Sequence, residues 1–249
     1  MKATEFIIES AEDDINYAHI SSTIYRKISN HISSNGFDLI IRDTNKNEYY
    51  AYTSKSIGLD DIIPGVVIAF GIVPGGNIKG MAGSVGTLNH SKLSGYDTIM
   101  ILRVMNEFNT DNLIKRFNTT EAMILVKHES IHLLDNLRAD KKQLSNQSQS
   151  NDISKYHNDP FEYNAFSHEL INRYTSVLHD AKGLGGAQLE NWGELYGIDR
   201  DFRTTVDNIF GGGFGKLFFD TLHSPKQKRL ISRLYKLHQL YLDQLNTTK

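Results

Sequence analysis

His128-Glu129-Ser130-Ile131-His132 sits inside a longer run, residues 120–136, that reads as a buried helix. The two histidines stand four positions apart. On a helix that turns about 100° per residue, their rings leave one face about one turn apart. Imidazole nitrogens bind Zn²⁺ well, and two at that separation can take two corners of a tetrahedron. Glu129, beside the first histidine, is near enough to reach a water on such an ion and take its proton. The competing reading is plain: on an amphipathic helix the same three side chains can be solvated or hydrogen-bonded to backbone.

The longer stretch Leu125-Val126-Lys127-His128-Glu129-Ser130-Ile131-His132-Leu133-Leu134 resembles the active-site helix of the zincin metallopeptidases. The interior of the motif is uncharged and its flanks are apolar. The one charge in the flanks, Lys127, falls where that family is permissive. The resemblance implies an α+β, zincin-like fold, in which a small, twisted, mostly antiparallel sheet and an active-site helix are followed by a helical C-terminal half. It also implies a zinc-dependent metallopeptidase that hydrolyses peptide or protein substrates with a zinc-activated water, Glu129 being the general base. In zincins a strand ahead of the active helix lies at the sheet edge and pairs with extended substrate. By resemblance and order, residues 97–105 are the candidate for that strand.

A catalytic zinc usually has three protein ligands, so the resemblance also asks for one more. The third histidine of the metzincin branch would fall at Arg138 and its glycine at Asp135, which excludes that branch. In the gluzincin branch a glutamate from a later helix completes the set, and Pro160-Phe161-Glu162-Tyr163-Asn164-Ala165 resembles a Glu-x-x-Ala form of that helix. Glu162 is the implied ligand. The same residues also fit a capping box from Asp159, in which Glu162 would fold back on its own helix start. His168, about 240° around from Glu162, is the alternative ligand, while Glu169 returns almost to the line of Glu162 and could brace the site. Asp135, three positions after His132, could orient a ligand histidine through its distal nitrogen. Tyr156, His157 and Tyr163 are candidates to donate to a tetrahedral oxyanion, with packing or solvent exposure as the alternative for each. His157 and His179 are weaker ligand candidates, and His19, His31, His90, His223 and His238 read as ordinary surface or core residues.

Composition sets the frame. A chain of 249 residues can be one large domain or two small ones. The expected division is 1–138, holding an N-terminal helical segment, the sheet and the active-site helix, and 139–249, a helical part that completes the metal site within one compact catalytic unit. Hydrophobic residues at 39%, charged residues at 22% and a net charge of −2 make no broad electrostatic case for nucleic acid or membrane. The absence of cysteine excludes disulfides, thiolate metal sites and thiol nucleophiles. Any metal must be held by His, Asp or Glu, a set that suits an open catalytic zinc site. No apolar run approaches a membrane span, and residues 1–10 lack the apolar core and cleavage signal of a secretory leader, so the expected location is the cytoplasm. Met1-Lys2-Ala3-Thr4-Glu5-Phe6-Ile7 resembles the starts of tailed-phage structural proteins, which implies a virion as the other setting. Two further functions stay open: a virion or assembly protein on a zincin-like scaffold whose metal site is structural or vestigial, with virion assembly partners, and a metal-dependent hydrolase of a non-peptide amide.

Along the chain, residues 1–34 predict one or two helices stopping near Asn35-Gly36. Residues 37–42 and 48–53 predict a hairpin, and 66–73 and 97–105 two further strands. Glycines 71–76 and 80–86 match neither a P-loop nor a dinucleotide fingerprint, and Gly80, Gly83 and Gly86 imply an irregular connection or a weak strand. Asn118 or Thr119 caps a helix over about 119–138. The polar tract 143–151 predicts a mobile loop over 139–158 near the site. Asp159-Pro160 opens a helix to about 182 with Phe161, Ala165, Phe166, Ile171, Tyr174 and Leu178 on its core face. Trp192, Tyr196 and Phe202 read as core packing. Ser224-Pro225 starts a last amphipathic helix through Leu230, Leu234, Leu237, Tyr241 and Leu245, with Lys226, Lys228, Arg229, Arg233 and Lys236 on a solvated face.

Overall fold

A computed structural model describes residues 11–35, 39–42, 48–73, 80–88, 93–105, 117, 119–138, 152–180, 184 and 186–247. Among the described residues the protein is α+β and mostly helical, with eight helices and one five-stranded mixed, open sheet. In chain order the elements are α1 (Ala11–Asn35), β1 (Leu39–Arg42), β2 (Glu48–Thr53), β3 (Val66–Val73), β4 (Gly80–Thr87), β5 (Thr98–Met105) and α2 (Thr120–Arg138). There follow α3 (Ile153–Asn158), α4 (Pro160–Asp180), α5 (Ala187–Leu195), α6 (Phe202–Phe210), α7 (Gly213–Thr221) and α8 (Ser224–Thr247). The chain divides into two compact units, one Ile20–Gln147, the other Met1–His19 with Ser148–Lys249.

The first unit holds the sheet, in the order β1-β2-β3-β5-β4. Every neighbouring pair is antiparallel except β3 and β5, which run parallel. β3 is an almost unbroken apolar run, as a strand covered on both faces requires, and Val66 to Phe70 are all fully buried. One face presents Tyr52, Ile68, Phe70, Met100 and Leu102, with Phe70 edge-on to Phe117 and Tyr52 edge-on to His31. The other carries Ile41, Tyr49, Ala51, Val67, Ala69 and Ile99 beneath Leu88, Leu93 and Tyr96. On α1, Ile24, Ile28 and Ile32 recur every fourth position and are buried. α2 packs against β4 and β5, and its first turn is capped as the sequence predicts, Thr119 Oγ1 accepting from the Ala122 amide at 3.3 Å.

One expectation about the sheet is overturned. Residues 97–105 are not an edge: β5 is paired along its length to β3 on one side and β4 on the other. Among the described residues the edge next to it is β4, the glycine-bearing segment expected to be irregular or weak. Its side chains contribute little to strand formation, but an unbroken register from Gly80 opposite Met105 to Thr87 opposite Thr98 supplies the order that propensity does not.

The second unit is helical. α4 and α8 pack together through Tyr163, Leu170, Ile171, Tyr174 and Val177 on one and Leu230, Leu234, Leu237, Tyr241 and Leu245 on the other, joined by Leu189, Ile198, Ile209, Phe218 and Leu222. The apolar stripe of the last helix is therefore where its spacing puts it. Arg233, expected on the solvated face, is instead buried. Tyr196 and Phe202 pack against this core, whereas Trp192 is partly exposed and stacks on Tyr196. The loop expected over 139–158 is corrected in part: residues 153–158 form α3, because Asp152 accepts from the amides of Ser154 and Lys155 and starts a short helix. Residues 139–151 lie outside the described residues, as do 1–10, Gly36, the turns expected at 43–47 and 74–76, His90, Asn118 and Gly183. No described helix is long and apolar enough to cross a membrane.

Candidate metal centre

α2 presents His128, Glu129 and His132 in a buried setting, at 7%, 5% and 4% exposure, flanked by the fully buried Val126 and Leu133. Ser130, inside the motif, is satisfied locally by donating to the Val126 carbonyl at 2.6 Å. The two imidazoles meet at their Nε2 atoms, 3.0 Å apart, with ring planes at 76°. Two ligands on a tetrahedral zinc, each about 2.0–2.1 Å from it, are roughly 3.4 Å apart. The observed spacing is within a few tenths of an ångström of that value, so the pair fits a divalent ion held by both Nε2 atoms.

Glu162, the third ligand that the resemblance implies, belongs to the other compact unit. Glu162 is only half-buried, in the first turn of α4. Asp159 starts that turn, its Oδ1 accepting from the amides of Phe161 at 2.9 Å and Glu162 at 3.4 Å. The amide of Asp159 donates to the carbonyls of Lys155 and Tyr156, so it is not the partner of the Glu162 carboxylate that a closed capping box would require.

Glu129 faces the sheet edge. A Cβ at Gly83 on β4 would overlap Cγ, Cδ and Oε1 of Glu129. Gly83 is opposite Leu102, whose side chain shares the face packed by α2. The edge strand's backbone is thus pressed against the one carboxylate of the motif.

The remaining candidates separate. His157 is buried, edge-on to Phe166 and Phe218. Its Nδ1 is 2.7 Å from Thr221 Oγ1, a hydroxyl that already donates to the carbonyls of Leu217 and Phe218, so Nδ1 is the donor. Burial lowers the pKa of His157, against the opposing pull of the Glu162 charge. Tyr163 is a core residue whose hydroxyl donates to the Lys226 carbonyl at 3.2 Å, and burial raises its pKa. Tyr156 is half-buried with its ring edge-on to Phe166. His168 stacks on Tyr17 and its Nε2 accepts from Arg233 Nη2 at 3.2 Å. Asp135 and Glu169 are half-buried, one turn beyond His132 and two turns beyond Glu162.

Two neighbours of the centre escaped the sequence reading. Gly83 carried a signal, since glycine inside a strand marks close approach of another group. Asn136 carried one too, standing one turn past His132 on the same helix. No protein-family model, no curated protein and no solved structure matches this chain.

Proposed function

We propose that the protein is a zinc-dependent metallopeptidase of zincin-like, gluzincin-type architecture, with His128, His132 and Glu162 holding the ion and Glu129 as general base. The observation that carries this reading is the approach of two buried imidazole Nε2 atoms to 3.0 Å, with the buried Glu129 on the same helix. When bound, the divalent ion supplies a Lewis acid and brings the pKa of a coordinated water down toward 7. Its donor set of two nitrogens and one carboxylate is the kind found in open catalytic zinc sites.

The chain's own residues supply the rest. Glu129 takes the proton of the attacking water on its carboxylate and hands it to the leaving amine nitrogen. Burial of Glu129 keeps competing solvent from that carboxylate. β4, as the edge strand, offers main-chain donors and acceptors to an extended peptide by strand addition, and at Gly83 brings that peptide alongside Glu129. Of the candidates for oxyanion donor Tyr156 remains, because the Tyr163 hydroxyl is engaged by the Lys226 carbonyl and the His157 hydrogen, on Nδ1, by Thr221.

The depth of both histidines also favours a second reading, in which a virion or assembly protein keeps the ion for structure alone. Metal analysis with two variants tests both. Zinc-replete protein should carry about one zinc per chain, lost in His132→Ala. Glu129→Gln should keep the zinc while peptide or casein hydrolysis falls by roughly 10²- to 10⁴-fold. Absence of bound metal in the unaltered protein overturns the proposal, and zinc without any hydrolysis favours the structural reading.

A further inference from the structure

Asn136 follows His132 by four positions, so His128, His132 and Asn136 climb α2 in steps of one turn. It is 2% exposed, and among the described residues neither Oδ1 nor Nδ2 has a hydrogen-bond partner. An amide buried in that condition is costly and calls for an explanation. Side chains on a helix lean toward its N-terminus, over the preceding turn, which here carries His132. The Nδ1 atom of His132 is itself buried. Its Nε2 atom faces that of His128. A neutral imidazole that binds an ion through Nε2 carries its proton on Nδ1 and needs an acceptor there, which fixes the ring and raises its basicity.

We propose that Asn136 is a positioning residue for His132, its Oδ1 accepting the Nδ1 hydrogen once Nε2 is engaged by the ion. The inference rests on the metal reading above and adds a residue to it. It also has a sign that a packing role lacks. In the metal-free protein the amide is a burden, so removing it should help folding; in the loaded protein it is a bond, so removing it should weaken the ion.

Asn136→Leu, of similar volume and without polar atoms, is the first variant. Its metal-free thermal midpoint should rise, while zinc affinity, measured by competition with a chromophoric chelator, should fall about 10- to 100-fold. Asn136→Asp keeps an acceptor and should hold zinc at least as tightly as the unaltered protein. The visible bands of the cobalt(II)-loaded protein should shift in the leucine variant, because the histidine's donor strength changes. Equal zinc affinity in Asn136→Leu overturns the assignment, as does an Asp variant weakened as much as the Leu variant. If Asn136→Leu does not fold, Asn136→Ala takes its place with the same expected loss of zinc affinity. Failure of the unaltered protein to bind zinc overturns the metal reading and this assignment with it, whereas zinc binding indifferent to position 136 overturns the assignment only.

Discussion

A methyl group at position 83 would occupy the space of the Glu129 side chain. Because the obstacle lies at the carboxylate end, and not against fixed backbone, Gly83→Ala should be accommodated by moving Glu129. The fold should survive and the zinc content should stay near one per chain. The general base, however, would be displaced, and misplacement of about 1 Å at a reacting group can cost on the order of 100-fold in rate. We therefore expect kcat/KM for a peptide substrate to fall by ten- to a hundredfold with unchanged metal stoichiometry; an alanine variant as active as its parent would contradict the close approach. The residue scale is also where the sequence was most legible. The approach of the His128 and His132 rings was legible in their spacing, because a helix turns a fixed angle per residue. The proposal of Glu162 as a ligand needed a resemblance, since no local rule ties a carboxylate to histidines thirty positions earlier. His168 shows why composition could not decide between them: only the fold brings Arg233 to its Nε2.

At the scale of elements, helix ends were readable because their chemistry is local. Thr119 and Asp159 both accept from the first free amides of the helices they precede. The helix at 153–158 was hidden by its six-residue length, too short to show a period, although Asp152 was available as a cap. Strand order was hidden for a different reason. Which strand becomes an edge depends on a crossover between β3 and β5 that side-chain alternation does not encode, so a strand rich in glycine took the edge that an apolar strand was expected to hold. Asp159 carries a test at this scale. Replacing it with alanine removes the acceptor for the Phe161 and Glu162 amides and should cost about 1 kcal/mol of stability in urea unfolding. Since that turn sets the direction of Glu162, zinc affinity should fall as well. A stability loss with no change in zinc affinity would argue against Glu162 as a ligand.

At the scale of the whole molecule, 27 basic and 29 acidic residues leave little net charge to drive unfolding, so the response to mild acid turns on a few buried groups. Two are evident among the described residues. His157 and His238 both have pKa values lowered by burial, despite the opposing pull of Glu162 in one case and of the Arg200 carbonyl, Asp201 and Asp199 in the other. At His238 the tautomer follows from the contacts: Nε2 donates to the Arg200 carbonyl at 3.1 Å, and Nδ1 accepts from the Tyr174 hydroxyl at 3.0 Å. Protonation would turn that acceptor into a donor facing the Tyr174 oxygen. In the unfolded chain each histidine titrates near its ordinary value of 6.5, above its folded value. The unfolded state therefore binds more protons below that pH. The stabilisation is present in full above about pH 6.5 and is lost as pH falls toward the folded pKa, at no more than about 1.4 kcal/mol per pH unit for each histidine. Chelator-treated protein, free of the separate effect of ligand protonation on zinc, should show a urea midpoint that declines from pH 7 to pH 5. His238→Gln should unfold with a shallower pH slope than the parent, whatever its midpoint at pH 7. An unchanged slope would mean that the helical core does not hold His238 neutral, and that the acid response originates elsewhere.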